Sequence, residues 1–456
     1  MSSPDQPVFV QPREHLVPVS GHLGSLMAIP PSRMFLIRKS LADFKEKYPD
    51  RDTFDASQGD GGASLPGVPN AILEAAARKQ MDRGTAYDMP YGTDAFRRAV
   101  VEDYWGLNAG SGLGPQNVIG TVGGRDGLIK AYEAMLALGH GREGDLMLVS
   151  RVPWISYNWG PYGVGANVLL APGRPEDGWA YSEGGIRESV AFAARHGRKI
   201  AGLVITNPDN PTGRTIPAVD QVRLARCALE AGAAFVLFDW IYHYVTDAAP
   251  IDLNDFVDLF SREELERVIF LDGITKSLGG SNIRNAHLIT SRKVADFIVA
   301  RASHAVMPAY FGLAVAQSAY EMGYREATRG IVEPTNASRI LLRAFLSENG
   351  YRYILGQGYY AFIDVGDALA AAGWPDTEPL GEYLAREHGL AVVPGAYSSE
   401  DGAGWIRFSY AMLPEHTRRA AERLHVGLQA LLSNKMDCHR EAGEAGRRDL
   451  VGTQDA

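Results

Sequence analysis

Three segments that read as buried strands each lead into a residue that can do chemistry. The run "VLFD" ends in Asp239, with Tyr242 three residues on, and "VIFLDGITK" ends in Lys276. A third run, "IAGLVIT", leads into "TNPDNPTGR", which carries Asn210 in the second of two Asn-Pro pairs. Because ligands of parallel sheets bind at the carboxyl ends of strands, we expect these side chains at one edge of a sheet. A lysine desolvated there has a lowered pKa and can act as a nucleophile.

The stretch from Thr206 to Arg214 has two interpretations. Asn, Asp, Pro and Gly all favour turns, so an ordinary turn after a strand is the first. The second is that the proline-bracketed turn holds the Asn210 amide rigidly toward a ligand. We favour the second, because an acid, a phenol and an amine are expected at the same sheet edge.

The composition is typical of a soluble globular enzyme or scaffold. The chain has 456 residues, 46% hydrophobic and 22% charged, and a net charge of −9 without a long Lys/Arg cluster. This balance argues against nucleic acid or an anionic membrane as the partner. The two cysteines, Cys227 and Cys438, form no disulfide framework, no run is apolar enough to cross a bilayer, and the N-terminus shows no signal pattern. We therefore expect a cytoplasmic protein.

The elements that must position these residues alternate along the chain. Helix-like segments such as "RDGLIKAYEAMLAL" and "VDQVRLARCALEA" alternate with the apolar runs "DLMLVS", "NVLLA", "IAGLVIT", "AAFVLFD" and "VIFLD". This alternation predicts an α/β fold, with a large lobe whose mainly parallel sheet is flanked by helices. After about residue 325, "RILLRAFLSENG", "YYAFIDV", "GWIRFSYA" and "PEHTRRAAERLHVGLQALL" predict a smaller α+β lobe.

Four regions follow from this pattern. Residues 1–80 are expected to contribute to the small lobe and the pocket, 81–325 to form the large cofactor-binding domain, and 326–433 to form the small C-terminal domain. Residues 434–456 are polar and lack periodicity, so we expect a disordered tail.

These motifs, in this order, resemble the class I/II aminotransferases of the fold-type I pyridoxal-phosphate enzymes, from about Phe54 to Leu432. The resemblance implies that Lys276 is the Schiff-base lysine, which binds pyridoxal 5'-phosphate and moves a proton at the substrate Cα. It implies that Asp239 pairs with the pyridine nitrogen, and that Tyr242 and Asn210 donate to the ring oxygen.

The resemblance also identifies a phosphate site and a dimer. In "TVGGRDGLIKAY", Gly124 and Arg125 open a helix whose N–H groups suit phosphate, and Arg284 resembles the family's phosphate arginine. In "YDMPYG", Tyr87 takes the place of a tyrosine that reaches the phosphate of the neighbouring subunit, which implies a homodimer. Trp154, in "WISY", is placed where the family stacks an aromatic ring on the pyridine, although such a tryptophan on its own is more often a core residue.

The substrate implied is an amino acid. Arg407, in "GWIRFSYA", takes the position that grips an α-carboxylate in the family, and an arginine on an apolar strand is costly without an anion. Gly59, in "ASQGD", takes the place of a residue whose backbone commonly helps to hold the same carboxylate.

The chain departs from the family pattern at four places. Gly273 stands where a phosphate-binding Ser or Thr is usual, and strand alternation points its possible substitute, Thr275, elsewhere. Trp240 replaces a commonly acidic residue, and "RNAH", Asn285 to His287, replaces a glycine and an aromatic. The N-terminal "GHLGSLMAIPPSRMFLIRKSLADF" has no assignable counterpart, which favours a specialised substrate.

Two further patterns carry no site. "GHGREG", Gly139 to Gly144, matches a dinucleotide-binding spacing, but it follows a helix and precedes a strand, the reverse of the required order. No metal-ligand spacing occurs, so His243 and His287 are expected to be pocket or core residues rather than ligands.

The resemblance determines the cofactor better than the reaction. We expect an aminotransferase that acts on an amino acid through its external aldimine. The alternative is a non-transaminating enzyme for Cβ/Cγ elimination, replacement or C–C bond formation, for example on an S-adenosylmethionine-like substrate in a natural-product pathway. A non-catalytic sensor on the same fold is a third class, which the short and weakly basic N-terminal segment disfavours.

Overall fold

A computed structural model describes residues 3–10, 16–17, 29–31 and 33–451, with side chains to Ser433 in the last helix. The strands are β1 Val8–Phe9, β2 Phe54–Asp55, β3 Val118–Thr121, β4 Leu146–Val149, β5 Asn167–Leu170, β6 Ile200–Thr206, β7 Phe235–Asp239, β8 Val268–Asp272, β9 Ala286–Thr290, β10 Tyr353–Leu355, β11 Tyr360–Asp364, β12 Leu390–Ala391, β13 Val393–Pro394 and β14 Trp405–Ser409.

The helices are α1 Met34–Lys47, α2 Asn70–Arg83, α3 Asp94–Ala99, α4 Gly123–Gly139, α5 Ile155–Trp159, α6 Glu183–Arg195, α7 Ala218–Ala231, α8 Leu253–Val257, α9 Arg262–Leu265, α10 Arg292–Ala302, α11 Tyr310–Glu321, α12 Tyr324–Ala327, α13 Arg329–Glu348, α14 Gly366–Ala372, α15 Thr377–His388 and α16 Pro414–Val451. A π-helical turn, Val100–Tyr104, continues α3.

The large lobe is built on an eight-stranded sheet in the order β1-β5-β4-β6-β7-β8-β9-β3. Strands β5, β4, β6, β7 and β8 pair in parallel, whereas β9 is antiparallel to β8 and β3, and β1 is antiparallel to β5. The α/β fold with a mainly parallel sheet, predicted from the alternation of helices and strands, is therefore confirmed. The antiparallel strands β1 and β9 were not among the predicted ones.

Strand β6 shows why the predicted strands read as continuous apolar runs. Leu203 and Ile205 pack into the hydrophobic cluster on one face of the sheet, and Ala201 and Val204 into the cluster on the other face. Helices cover both faces, so neither set of side chains meets water. Strands β6, β7 and β8 each end in their first polar residue, Thr206, Asp239 and Asp272.

The small lobe contains a four-stranded antiparallel sheet in the order β10-β11-β14-β13. Strand β2 pairs in parallel with β12, and the N-terminal β1 lies on the edge of the large sheet, so the first 80 residues contact both lobes. Helix α16 continues past Ser433 into the stretch predicted to be disordered, and residues 452–456 lie outside the described residues. The domain boundaries stay a prediction.

Candidate active site

A cavity of about 880 Å³ lies at the carboxyl ends of the parallel strands and reaches the small lobe. It brings together all but one of the predicted site residues. Its wall includes Gly59, Gly124, Arg125, Trp154, Asn210, Asp239, Tyr242, Lys276, Arg284 and Arg407.

The residue missing from this cavity is Tyr87. Its side chain is 94% exposed on the surface of the chain. A single chain therefore does not bring Tyr87 to its own cavity, and a tyrosine with this exposure is open to contact with another molecule.

Lys276 follows β8 in a turn and points its amine into the cavity. Its Nζ donates to the Gly59 carbonyl oxygen and lies 5.5 Å from the centre of the Tyr242 ring. Burial lowers the pKa of Lys276 to about 8, and the nearby Asp60 carboxylate opposes this shift. An amine with this pKa is partly neutral near pH 7 and can react as a nucleophile.

Asp239 ends β7 at the floor of the cavity. It accepts hydrogen bonds from the Tyr157 hydroxyl at 2.6 Å and from the Ile241 N–H at 3.2 Å, both neutral donors. The Tyr157 oxygen in turn accepts from Thr206 Oγ1 at 2.9 Å. Burial raises the pKa of Asp239 to about 6. A buried carboxylate held by neutral groups alone is suited to receive a cationic N–H.

Tyr157 is a site residue that the sequence reasoning missed. It lies three residues after Trp154, and the two rings contact each other edge to face with centroids 5.4 Å apart. The i, i+3 spacing at the start of α5 was a signal that both rings face one side. Only the fold, however, brings Tyr157 within reach of Asp239.

A cradle for an anion lies at the start of α4. Gly123 has φ +75°, and a Cβ there would lie 2.3 Å from Nη2 of Arg284, so only glycine leaves room for that guanidinium. The same guanidinium donates to the Val122 and Ser281 carbonyl oxygens. Burial lowers the pKa of Arg125, and the charge of Arg284 adds to this effect. Two cations beside a helix N-terminus form an anion site.

Thr275 lies in the same cavity wall, and the expectation that it points elsewhere is wrong. Strand β8 ends at Asp272 and the chain then turns, so the alternation of a strand does not apply. The Thr275 Oγ1 is buried and has no hydrogen-bond partner among the described residues. Gly273 itself cannot carry a hydroxyl here, because a Cβ would lie 2.6 Å from Cα of Ala286.

Arg407, on β14, is a buried cation surrounded by neutral groups. Its Nη1 donates to Asn210 Oδ1 at 2.9 Å and its Nη2 to the Ser57 carbonyl oxygen at 2.7 Å. Its guanidinium lies 4.3 Å from the centre of the Tyr360 ring. Its Nε has no partner in the described part of the chain, so the guanidinium retains a donor for an anion.

Of the remaining departures, the N-terminal stretch contributes Ile29, Pro30, Pro31, Met34 and Arg38 to the cavity wall, whereas Trp240 and residues 285–287 do not line it. Trp240 is fully buried among Phe238, Phe256 and Phe270 and donates from Nε1 to Gln221 Oε1 at 2.9 Å. It fills the core of the large lobe, where an acidic side chain would have no partner.

His243 and His287 belong to a buried group that we call the Asp272 cluster: Tyr104, Trp105, His243, Asp272 and His287. Asp272 Oδ2 accepts from the Tyr104 hydroxyl and pairs with His243 Nδ1, both at 2.6 Å. Trp105 Nε1 donates to His287 Nε2 at 3.0 Å, and its ring stacks on His243. Burial lowers the pKa of His287 to about 4. Both histidines are therefore core residues.

The cavity thus brings a buried amine, a buried carboxylate and two arginine sites together at the carboxyl ends of the parallel strands, an arrangement typical of an enzyme. The sequence profile of the family "Aminotransferase class I and II" matches residues 53–424. The match covers most of the chain, and the chain belongs to this family. It is a pyridoxal-phosphate-dependent aminotransferase.

Individual relatives agree with the family. The chain is 27% identical over 365 residues to an aspartate/prephenate aminotransferase of Thermus thermophilus, covering 78% of this chain and 86% of the relative. It is 25% identical over 390 residues to aromatic-amino-acid aminotransferase 2 of Thermococcus litoralis, covering 82% and 94%. The solved structure of aspartate aminotransferase from Thermus thermophilus with maleate superposes with a TM-score of 0.74 at 24% identity, covering 88% of this chain and 98% of that one.

The residues present fit pyridoxal 5'-phosphate. Lys276 offers an amine for its aldehyde, and Asp239 offers a buried carboxylate for its pyridine nitrogen. The cradle of Gly123 and Arg284, which a Cβ would fill, and the unpartnered Thr275 hydroxyl suit its phosphate. The two sequence relatives described above are aminotransferases that match over about four fifths of this chain, so elimination or replacement chemistry is not favoured.

Proposed function

We propose that this aminotransferase takes the amino group from an α-amino acid and passes it to a 2-oxo acid, with Lys276 as the residue that reacts. The observation that carries this proposal is the buried Lys276 amine, with a pKa of about 8, in a cavity shared with Asp239 and Arg407. When bound, the cofactor supplies an aldehyde carbon and a ring that withdraws electrons from the substrate Cα.

Lys276 would hold the cofactor through its amine and, when that amine is free, would accept the Cα proton of the amino acid. Accepting a proton requires an amine that can be neutral near pH 7, which burial provides. Tyr242 and Asn210, which both line the cavity, would orient the ring. Because Asn210 Oδ1 is engaged by Arg407, the amide nitrogen is the group left to donate.

Asp239 would hold a proton on the pyridine nitrogen. A carboxylate in a dry site stabilises a cation beside it, since the interaction is screened little by water. Tyr157 keeps the carboxylate in place through its hydrogen bond. Trp154 is proposed to stack on the ring; the guanidinium of Arg125 lies 5.4 Å from the centre of the indole.

The phosphate would be held by Arg284, the Gly124 N–H at the start of α4, Arg125 and Thr275. The substrate α-carboxylate would bind Arg407, with Gly59 beside it. These assignments place two anions at two separate arginine sites, which fixes the direction in which an amino acid lies across the cavity.

We further propose that the working unit is a cytoplasmic homodimer. The exposed Tyr87 would reach the phosphate site of the partner subunit, which supports two copies as the functional assembly. A chain with two cysteines, of which Cys227 is free and buried, suits a reducing compartment. Within the described residues, no helix is long and apolar enough to cross a membrane.

The dimer proposal has its own test. Sedimentation of the cofactor-loaded protein is expected to give the mass of two chains. Tyr87→Phe is expected to weaken cofactor binding several-fold while the dimer persists, because one hydrogen bond to the phosphate is lost. A monomeric active protein, or unchanged affinity in the variant, would contradict the proposal.

The reaction is tested by absorbance spectroscopy of the protein loaded with pyridoxal 5'-phosphate. Single amino acids are mixed with it in turn, without any 2-oxo acid, and S-adenosylmethionine is included. Transamination gives one spectral change, stoichiometric with subunits, which an added 2-oxo acid reverses. Continued product formation in the absence of a 2-oxo acid would overturn the proposed reaction.

A further inference from the structure

Three of the proposed site residues meet at one side chain that has no role in the scheme above. Tyr360 is the first residue of β11, is almost fully buried, and lines the cavity from the small lobe. Its hydroxyl contacts Tyr242, its ring lies under Arg407, and its oxygen occupies the space that a side chain at position 59 would need. It therefore touches both the cofactor side and the carboxylate side of the cavity.

The hydroxyl contact involves Tyr242. The oxygens of Tyr360 and Tyr242 are 2.8 Å apart, within hydrogen-bond distance. Burial raises the pKa of Tyr242 well above its ordinary value, so its phenol keeps its proton near neutral pH. When Tyr360 donates to the Tyr242 oxygen, the Tyr242 proton is free for another acceptor. A phenol that accepts one hydrogen bond is also a stronger donor in the next.

The ring contact involves Arg407. The guanidinium is held at one edge by Asn210 Oδ1 and the Ser57 carbonyl oxygen, and the Tyr360 ring lies 4.3 Å away against its face. A cation over an aromatic face is attracted by the ring quadrupole, and more so when both are buried. The ring thus restricts the plane of the guanidinium, and with it the direction of the unpartnered Nε.

The backbone at Gly59 fits the same hydroxyl. A Cβ at position 59 would lie 2.3 Å from the Tyr360 oxygen and 3.5 Å from Lys276 Nζ. The absence of a side chain at this position is therefore what allows the Tyr360 phenol to sit close to the reactive amine.

We propose that Tyr360 is a positioning residue with two separable tasks: its hydroxyl sets the donor direction of Tyr242, and its ring sets the plane of Arg407. This inference rests on the proposed function, because it assumes that Tyr242 faces the cofactor and Arg407 faces the substrate carboxylate. One side chain of the small lobe would then fix the position of the cofactor site relative to the carboxylate site.

Two variants separate the tasks. Tyr360→Phe removes the hydroxyl and keeps the ring, whereas Tyr360→Leu removes both. The matched control is Tyr353→Phe, which removes a hydroxyl from the same sheet. The Tyr353 oxygen lies 2.7 Å from Ser347 Oγ, and neither residue lines the cavity. The readouts are the pH titration of the absorbance of the bound cofactor, and the rate and half-saturating concentration of the amino acid in a single turnover.

Tyr360→Phe is expected to move the titration of the bound cofactor to higher pH by about 0.5 unit. The reason is that a weaker Tyr242 donor gives less stabilisation to the negative charge on the cofactor's ring oxygen in the deprotonated form. The half-saturating concentration of the amino acid is expected to stay within about two-fold of the wild-type value. Tyr360→Leu is expected to show the same titration shift and to raise that concentration by about 10-fold. Tyr353→Phe is expected to match wild type in both.

Two results would overturn the inference while leaving the proposed function standing. One is a wild-type titration in Tyr360→Phe. The other is an equal loss of substrate binding in Phe and Leu variants, since the retained ring would then have no role. If the wild-type protein itself gave no cofactor absorbance and no single-turnover reaction, the proposed function would fail instead.

Discussion

Two sets of buried polar groups lie near the ends of β7 and β8: the Asp272 cluster and the groups that line the cavity. They differ in how many of their polar atoms have a hydrogen-bond partner within the protein. In the Asp272 cluster the carboxylate is fully used by the protein: Tyr104 and His243 contact Oδ2, and the Gly273 N–H donates to Oδ1 at 2.6 Å. In the cavity, the Thr275 hydroxyl and the Arg407 Nε are buried without a partner among the described residues. Buried polar groups cost free energy when unpaired, so the cavity is organised for ligands and the cluster for folding.

The Asp272 cluster also contains one unpaired polar atom, since His287 Nδ1 lacks a partner within the described residues. Its imidazole, with a pKa of about 4, is neutral near pH 7. An unpaired neutral nitrogen is far less costly than an unpaired charge. What distinguishes the cavity is that its unsatisfied groups surround a space of about 880 Å³ and include buried charges.

The largest expected effect is the loss of the amine in Lys276→Ala. Activity is expected to fall by at least about 10⁴-fold, since both the covalent bond and the proton transfer are removed. Borohydride reduction of the wild-type holoenzyme, followed by peptide mass analysis, is expected to place the cofactor on the peptide containing Lys276. A covalent adduct that persists in the variant would show that another amine does this chemistry.

In the Asp272 cluster, Asp272→Asn is expected to destabilise the fold by about 3 kcal/mol, because it removes the buried carboxylate that contacts the Tyr104 hydroxyl, His243 Nδ1 and the Gly273 N–H. Urea unfolding measures the change, and the exposed Asp50→Asn is the control, expected to lie within about 0.5 kcal/mol of wild type. An unfolding free energy equal to that of wild type would show that the Asp272 cluster does not hold the fold.

Asp239→Asn is expected to stabilise the cofactor-free protein near pH 7 by roughly 2–3 kcal/mol, the opposite sign to Asp272→Asn. The pKa of Asp239 in the fold, about 6, lies above the unfolded value near 3.8. The wild-type group therefore contributes most stability below pH 4 and loses it as the pH rises through 6. Unfolding curves at pH 4.5 and 7.5 test this: the advantage of the variant is expected to be clearly larger at the higher pH.

The smallest expected effect is that of Thr275→Val. Losing one hydroxyl donor to the phosphate is expected to weaken cofactor affinity about five-fold, with unfolding of the cofactor-free protein almost unchanged. The matched control is Thr290→Val, because the buried Thr290 Oγ1 already donates to the Val268 carbonyl oxygen at 2.8 Å. That control is expected to lose stability and keep affinity. If Thr275→Val lost stability and Thr290→Val lost cofactor affinity, the assignment of Thr275 to ligand binding would be wrong.

The sequence predicted the large lobe and its strand-end residues well, because apolar runs and the polar residues that end them are local signals. Asp239 ends β7, and Lys276 and Asn210 lie in the turns that follow β8 and β6; all three line the cavity as expected. The resemblance added Arg284 and Arg407, which no spacing rule would have linked to the cavity.

The residues that sequence reasoning missed are those whose role depends on tertiary contact. Tyr360 reaches Tyr242 across 118 positions of the chain, and Tyr157 reaches Asp239 across 82. Thr275 was misjudged because a strand was assumed to continue past Asp272. Pairing across lobes and the ending of a strand are set by packing, which a single sequence does not display.

At position 273, backbone packing excludes every residue except glycine. Any side chain there would meet the Cα of Ala286 at 2.6 Å, which is backbone, so shortening the neighbouring side chain to glycine would not make room. Substitution at position 273 alone therefore cannot add a hydroxyl while β8 and β9 keep this arrangement. The turn that follows carries a hydroxyl instead, that of Thr275 in the cavity wall.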